Sequence, residues 1–88
     1  MMYRIEFSDT AEKQFLKLDE FTQKQIQKYI NKNLRETDNP RKHGKALKGT
    51  MRGLWRYETG KYRLVCEIND GKLCILVVKA GHRREVYR

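Results

Sequence analysis

The sequence predicts an α+β fold: two N-terminal helices packed on one face of a twisted, mainly antiparallel four-stranded sheet. Three observations point to it. Apolar residues between 9 and 34 recur at helical spacing, and the stretch from 54 to 79 falls into short β-branched and aromatic runs. The spacers between those runs are so short that neighbouring strands are expected to pair antiparallel. With 88 residues and 39% hydrophobic content, the chain is expected to form a single domain, 1–88, around a compact core.

Met2-Tyr3-Arg4-Ile5-Glu6-Phe7 alternates apolar and polar residues and reads as a first strand. Ser8 and Asp9 are good N-cap residues, and Asp9 with Glu12 has capping-box spacing. The helix that follows buries Ala11, Phe15 and Leu18 and leaves Lys13 and Lys17 in water. Asp19-Glu20 starts a second, longer helix, whose Ile26, Tyr29, Ile30 and Leu34 form one apolar stripe. Thr37-Asp38-Asn39-Pro40 ends it, because a residue before proline is pushed out of helical geometry. Residues 41–53 read as a basic loop hinged at Gly44, Gly49 and Gly53 and anchored by Ala46, Leu47 and Met51. Strands are then expected over Leu54–Glu58, Tyr62–Ile68 and Leu73–Lys79. Thr59-Gly60-Lys61 forms the first turn between them and Asn69-Asp70-Gly71-Lys72 the second.

In the third of these four strands Leu64, Cys66 and Ile68 share one face, and Arg63, Val65 and Glu67 the other. If the first set meets the helices, Arg63 lies on the open face. A two-residue loop at Asp70-Gly71 would set residue 66 opposite 75 and 67 opposite 74. Cys66 and Cys74 would then point to opposite faces, unable to bridge, and both read as small buried side chains. No apolar run reaches the ~18–20 residues that span a bilayer, and no signal-peptide series opens the chain, so a cytoplasmic protein without a membrane partner is expected.

Net charge is +9, and its placement is uneven. Residues 1–40 hold 7 bases and 7 acids, whereas 41–63 hold 8 bases against Glu58 alone, and the tail from 79 onward is basic again. Segregation of this kind suits a polyanion-binding surface, foremost nucleic acid. The chain has no Walker-type loop, no GxGxxG, no HExxH and no paired-cysteine zinc spacing, and carboxylates are scarce in its basic half. Neither a metal nor another cofactor is expected.

These residue types suit RNA cleavage, because RNA carries its own nucleophile in the 2′-hydroxyl. A protein must align it, neutralise charge on a pentacovalent phosphorus and protonate the leaving 5′-oxygen. Guanidinium forks suit the second task, and His or Tyr the proton steps. Arg56, Arg63, His82, Arg83 and Tyr87 are the catalytic candidates. Lys42, Lys45, Lys48, Arg52, Lys61 and Arg84 are candidate contacts to RNA.

The run Leu47-Lys48-Gly49, then Gly53-Leu54-Trp55-Arg56-Tyr57, Gly60-Lys61-Tyr62-Arg63-Leu64-Val65 and the ending Gly81-His82-Arg83-Arg84-Glu85-Val86-Tyr87 resemble the RelE toxins of the RelE/ParE superfamily. Tyr3-Arg4-Ile5-Glu6-Phe7-Ser8 and Lys13-Gln14-Phe15-Leu16-Lys17-Leu18 fit too, so the resemblance spans nearly the whole chain. It implies the toxin of a type II toxin–antitoxin pair, a metal-independent endoribonuclease that enters the ribosomal A site, cuts mRNA there and stops translation. A RelB-like antitoxin is the implied partner, beside the ribosome with its rRNA and the mRNA.

By the same resemblance Arg63 contacts the scissile phosphate, Arg83 serves the transition state or leaving group, Tyr87 orients the nucleotide and Lys48 touches RNA. Leu54 and Arg56 stand where well-studied members carry lysines, and the glutamate that another branch uses as base is replaced by Lys45 or Ala46. The base therefore stays open between His82, Tyr87 and no strong base, and a tail shorter by about two residues lets Arg84 trade roles with Arg83. A ParE-like toxin that poisons DNA gyrase without cutting RNA is the alternative reading.

Overall fold

The computed structural model describes residues 2–35 and 37–84. In chain order it holds β1 (Arg4–Phe7), α1 (Asp9–Leu16), α2 (Glu20–Asn33), β2 (Lys45–Ala46), β3 (Trp55–Thr59), β4 (Tyr62–Asn69) and β5 (Cys74–His82), with 3-10 turns at Pro40–Lys42 and Gly49–Met51. The sheet runs β1-β5-β4-β3-β2. β1 pairs with β5 in parallel, and every other pair is antiparallel.

Local chemistry sets the helix starts. Ser8 is the N-cap of α1, its hydroxyl accepting from the Ala11 amide at 3.1 Å, and Asp9 and Glu12 place negative charge in the first turn. Asp19 occupies the N-cap position of α2 without a side-chain cap bond. Gln23 instead donates to the Leu18 carbonyl at 2.8 Å, tying the second helix to the end of the first. Ala11 and Phe15 from α1 and Ile26, Ile30 and Leu34 from the α2 stripe pack on Tyr57, Leu64, Cys66, Ile75, Val77 and Ala80 of the sheet. Phe7 meets Phe15 edge-on at 5.5 Å between ring centroids. The α2 helix closes at Asn33, several residues before the Pro40 stop.

The four-strand expectation needs correction: among the described residues the sheet has five strands. The added one, β2, lies inside the segment expected to be loop and pairs Lys45 with Arg56 and Ala46 with Trp55. Two residues carry too little pattern to announce a strand, and what holds this one is tertiary. The Trp55 indole donates to the His43 carbonyl at 2.7 Å. Gly44 (φ 74°) packs so closely on β3 that a Cβ would collide with the Arg56 carbonyl and the Trp55 ring. Ala46, expected to anchor the segment, is exposed. Buried Pro40 anchors it instead, its carbonyl accepting from the Tyr57 hydroxyl at 2.6 Å. Burial pushes that phenol well above its ordinary pKa.

The β4–β5 turn also differs. Four residues, Asp70 to Leu73, connect the strands, with Leu73 at φ 49° and the Asn69 side chain accepting from the Lys72 amide at 3.0 Å. Cys66 therefore faces Val77 rather than residue 75, and Asn69 faces Cys74. A slip of two leaves the faces unchanged. Both cysteines are buried and free, and burial raises both thiol pKa values. Near this turn Asp70 accepts from the Tyr3 hydroxyl at 2.6 Å and from Arg41 Nη1 at 2.9 Å. Those two bonds, Arg41 first, hold the Asp70 carboxyl below its ordinary range, and the bond to Asp70 raises the Tyr3 phenol.

One irregularity decides which residues face which way. Val65 pairs with Lys79 but Cys66 with Val77, so Val78 is an extra residue bulged out of β5. Its carbonyl accepts from the Ser8 hydroxyl at 3.4 Å. Past the bulge the alternation resumes one step out of phase, which sets Ala80 and His82 on the helix side and Lys79 and Gly81 on the open side.

Candidate active site

Pairing registers set the site on the face the helices leave uncovered. Tyr57 and Leu64 point into the core, so their strand neighbours Arg56, Glu58, Arg63 and Val65 point away from it. Glu58 lies directly across from Arg63, and Arg56 across from Val65. Lys45 of β2 extends the row beyond Arg56, and Lys79 and Gly81 of β5 extend it past Val65 and Arg63. The row thus runs across four adjacent strands, with four bases around one acid.

Glu58 ties the centre together. Its Oε2 lies 3.2 Å from Arg63 Nη2 and its Oε1 3.8 Å from Arg56 Nε. The Arg63 side chain is only 12% exposed and that of Arg56 28%, whereas Glu58 keeps 36%. The guanidinium groups are thus held in place by the sheet and by a shared carboxylate. Such a pair can take two oxygens of a phosphodiester with little further ordering.

Other candidates lie at the rim. The Arg83 amide donates to the Lys61 carbonyl at 2.9 Å, continuing the β4–β5 ladder one step beyond Tyr62 and His82. The turn lysine and the tail arginine are therefore neighbours at the Arg63 end of the sheet, both exposed. Lys42, Lys45, Lys48, Arg52 and Arg84 are exposed as well, free of the core. Tyr87 lies outside the described residues.

His82 is placed apart from the arginines. It pairs with Tyr62 on the helix side, their rings edge to face at 5.8 Å, and its Nδ1 accepts from the Arg84 amide at 3.2 Å. It lines a cleft of about 360 Å³ with Gln14, Lys17, Leu18 and Tyr62. The sheet itself separates this ring from the Arg56–Arg63 pair. Glu58 and Lys79 join the row although their residue types did not single them out. The signal for Glu58 was its isolation as the one acid among eight bases, and nothing in the sequence marked Lys79. Among the described residues no three His, Cys, Asp or Glu come together as a metal centre would require.

Known proteins are similar to this chain over almost its whole length. Toxin RelG of Mycobacterium tuberculosis (strain ATCC 25618 / H37Rv) is 26% identical over 88 residues, covering 100% of this chain and 99% of that protein. The toxin–antitoxin complex RelBE2 of the same species superposes with a TM-score of 0.84 at 23% identity, over 97% of this chain and 95% of that one. The isolated E. coli RelE toxin gives a TM-score of 0.73 at 28% identity, over 97% and 90%. The sequence model of the ParE toxin of the type II toxin–antitoxin system parDE matches residues 5–87. The two-helix, mixed-sheet architecture, the whole-chain similarity and this match agree: the chain belongs to the ParE toxin family and is a RelE-like type II toxin of the RelE/ParE superfamily.

Proposed function

We propose that this toxin is a ribosome-dependent endoribonuclease that cleaves mRNA in the A site. The observation that carries the reading is the Arg56–Glu58–Arg63 cluster on the open face, ringed by exposed bases from the β2 segment, the β3–β4 turn and the tail. Arg63 and Arg56 hold the non-bridging oxygens of the scissile phosphate and neutralise the charge that grows on them in the transition state. Arg83, at the end of the ladder, serves the leaving 5′-oxygen, and Tyr87 orients the nucleotide. Lys42, Lys45, Lys48, Arg52, Lys61 and Arg84 contact the phosphates of rRNA and mRNA. The chemistry calls for no cofactor, because the RNA 2′-hydroxyl is the nucleophile.

The partner in the resting cell is a RelB-like antitoxin. The similar M. tuberculosis fold comes from a toxin–antitoxin complex, as do similar RelE structures from E. coli and Pyrococcus horikoshii. Such a toxin works in the cytoplasm, and among the described residues no helix is long and apolar enough to cross a membrane.

Translation of a defined mRNA in a purified system, with 5′ ends mapped by primer extension, tests the reading. Cuts within the A-site codon, lost in Arg63→Ala and retained in a variant of exposed Lys28 on α2, are the expected result. The family match to ParE supports a second reading, poisoning of DNA gyrase. Intact mRNA together with accumulating cleaved DNA–gyrase complexes would establish that one instead.

A further inference from the structure

We propose that Glu58 is the general base of the cleavage, accepting the proton of the 2′-hydroxyl that attacks phosphorus. The inference rests on the ribonuclease reading and adds the proton acceptor which that reading leaves open.

Position argues for it first. Glu58 faces Arg63 across β3 and β4 with a carboxylate oxygen 3.2 Å from the guanidinium. A phosphate bound on Arg63 and Arg56 brings its own 2′-hydroxyl to about 3–3.5 Å from phosphorus in an attacking geometry. A carboxylate already touching both guanidinium groups lies within reach of that hydroxyl. Its side chain is 36% exposed, so substrate can approach it.

Competition argues second. Among the described residues facing this side, Lys45, Arg56, Arg63 and Lys79 are cations that donate protons rather than take them. Glu67, Glu6 and Cys74 share the face at its far end. Four residues along β4 separate Glu67 from Arg63, roughly 13 Å at strand rise. His82 lies beyond the sheet against Tyr62.

The step balances without a further reactant. The 2′-oxygen bonds to phosphorus as its proton passes to a Glu58 oxygen. The bond from phosphorus to the 5′-oxygen breaks, and that oxygen keeps the electron pair and takes a proton from water. The products are a 2′,3′-cyclic phosphate and a 5′-hydroxyl end, and Glu58 is restored by giving its proton to the hydroxide formed. Arg56 and Arg63 have a second role in the resting protein, since their pairing with Glu58 keeps the acceptor aimed at the place the phosphate will occupy.

Single-turnover cleavage on programmed ribosomes tests the assignment. Glu58→Gln keeps the shape and an oxygen for Arg63 but takes no proton. Its rate at saturation should fall on the order of 100-fold or more, with the half-saturating toxin concentration unchanged. Glu58→Asp, which retains a carboxylate, should recover part of the rate. In an mRNA whose scissile 5′-oxygen is replaced by sulfur, departure needs no proton, so the Glu58→Gln deficit should persist. Wild-type cleavage with an equal rate in Glu58→Gln would overturn the proposal alone, as would loss of the deficit on the sulfur substrate or equal rates for Asp and Gln. Wild-type protein that leaves ribosomal mRNA intact would overturn the ribonuclease reading along with it.

Discussion

On the helix side of the sheet Tyr57, Leu64, Cys66, Ile75 and Val77 are closed off from solvent, while one step along β3 and β4 Arg56, Glu58 and Arg63 form a charged row on the other side. The same strands build both faces, and only the period-two alternation separates them. The covered face draws its stability from removing apolar area from water, so it tolerates no charge. The open face buries Val65 and Cys74 as well, but its charged row is held by cross-strand pairing instead. Substitutions should therefore divide by face at the charged row: Tyr57 and Leu64 govern stability and Arg56, Glu58 and Arg63 activity, while Val65 and Cys74, buried on the open side, belong with stability.

The sharpest test sits just past the Val78 bulge. Ala80 is 3% exposed and faces the helices, with its amide donating to Gln14 Oε1 at 2.9 Å, whereas Lys79 faces Val65 on the open side. Ala80→Asp buries an unpaired charge and is expected to cost about 3–5 kcal/mol, enough to threaten folding. Lys79→Asp should leave the melting temperature within a few degrees of wild type and reduce mRNA cleavage. A regular strand would exchange the two outcomes, so thermal melts of the pair measure the phase of β5 directly.

A smaller effect is expected in the centre of the core. Ile26→Ala removes a fully buried side chain and should lower stability by about 2–4 kcal/mol in urea titrations, leaving the per-molecule cleavage rate of the folded fraction unchanged. Tyr57→Phe leaves the buried Pro40 carbonyl without its donor and should cost about 1–2 kcal/mol. Because that bond anchors the segment carrying Lys42 and Lys45, its loss should also weaken ribosome binding, the one case where a core substitution crosses to the other face.

The smallest effect concerns the Tyr3–Asp70–Arg41 clamp, and its sign depends on pH. The Asp70 carboxyl titrates lower in the folded state than unfolded, so its contribution is present above about pH 4 and is lost as pH falls through the lowered value. Tyr3 titrates higher folded than unfolded, so its contribution is present below about pH 10 and fades as pH rises past that point. Melting temperature should thus be flat near neutrality and fall on both flanks. Asp70→Asn should reduce both falls, and a profile identical to wild type would remove the clamp from the account of stability.

Much of this architecture was readable from local pattern. The Ser8 cap, the Ile26–Ile30–Leu34 stripe and the alternation about Arg63 are short-range rules, each decided by residues within a turn or a strand of one another. The β4–β5 connection is longer than its Asp70-Gly71 pair suggests, because Leu73, an apolar residue, adopts φ 49° within it. Cys66 and Cys74 still lie on opposite faces, since an even slip preserves the faces. β2 was illegible, because two residues carry no period and this strand exists through Trp55 and Gly44 of a folded neighbour. For the site, residue type groups His82 with Arg56 and Arg63, whereas the fold sets its ring on the opposite side of the sheet, against Tyr62.

The amino-acid order by itself thus determined the two helices, the faces of β3 and β4, the basic second half and the membership of a toxin family. Only tertiary structure decided the phase of β5. An extra residue at Val78 shifts the alternation by one, because Lys79 could not be buried against α1 whereas Ala80 could, and the Val78 carbonyl finds the Ser8 hydroxyl as donor. That one-residue shift sends His82 to the helices, away from Arg63. The reason is physical: alternation is a local property, but where it restarts depends on what packs against the strand from 70 residues away.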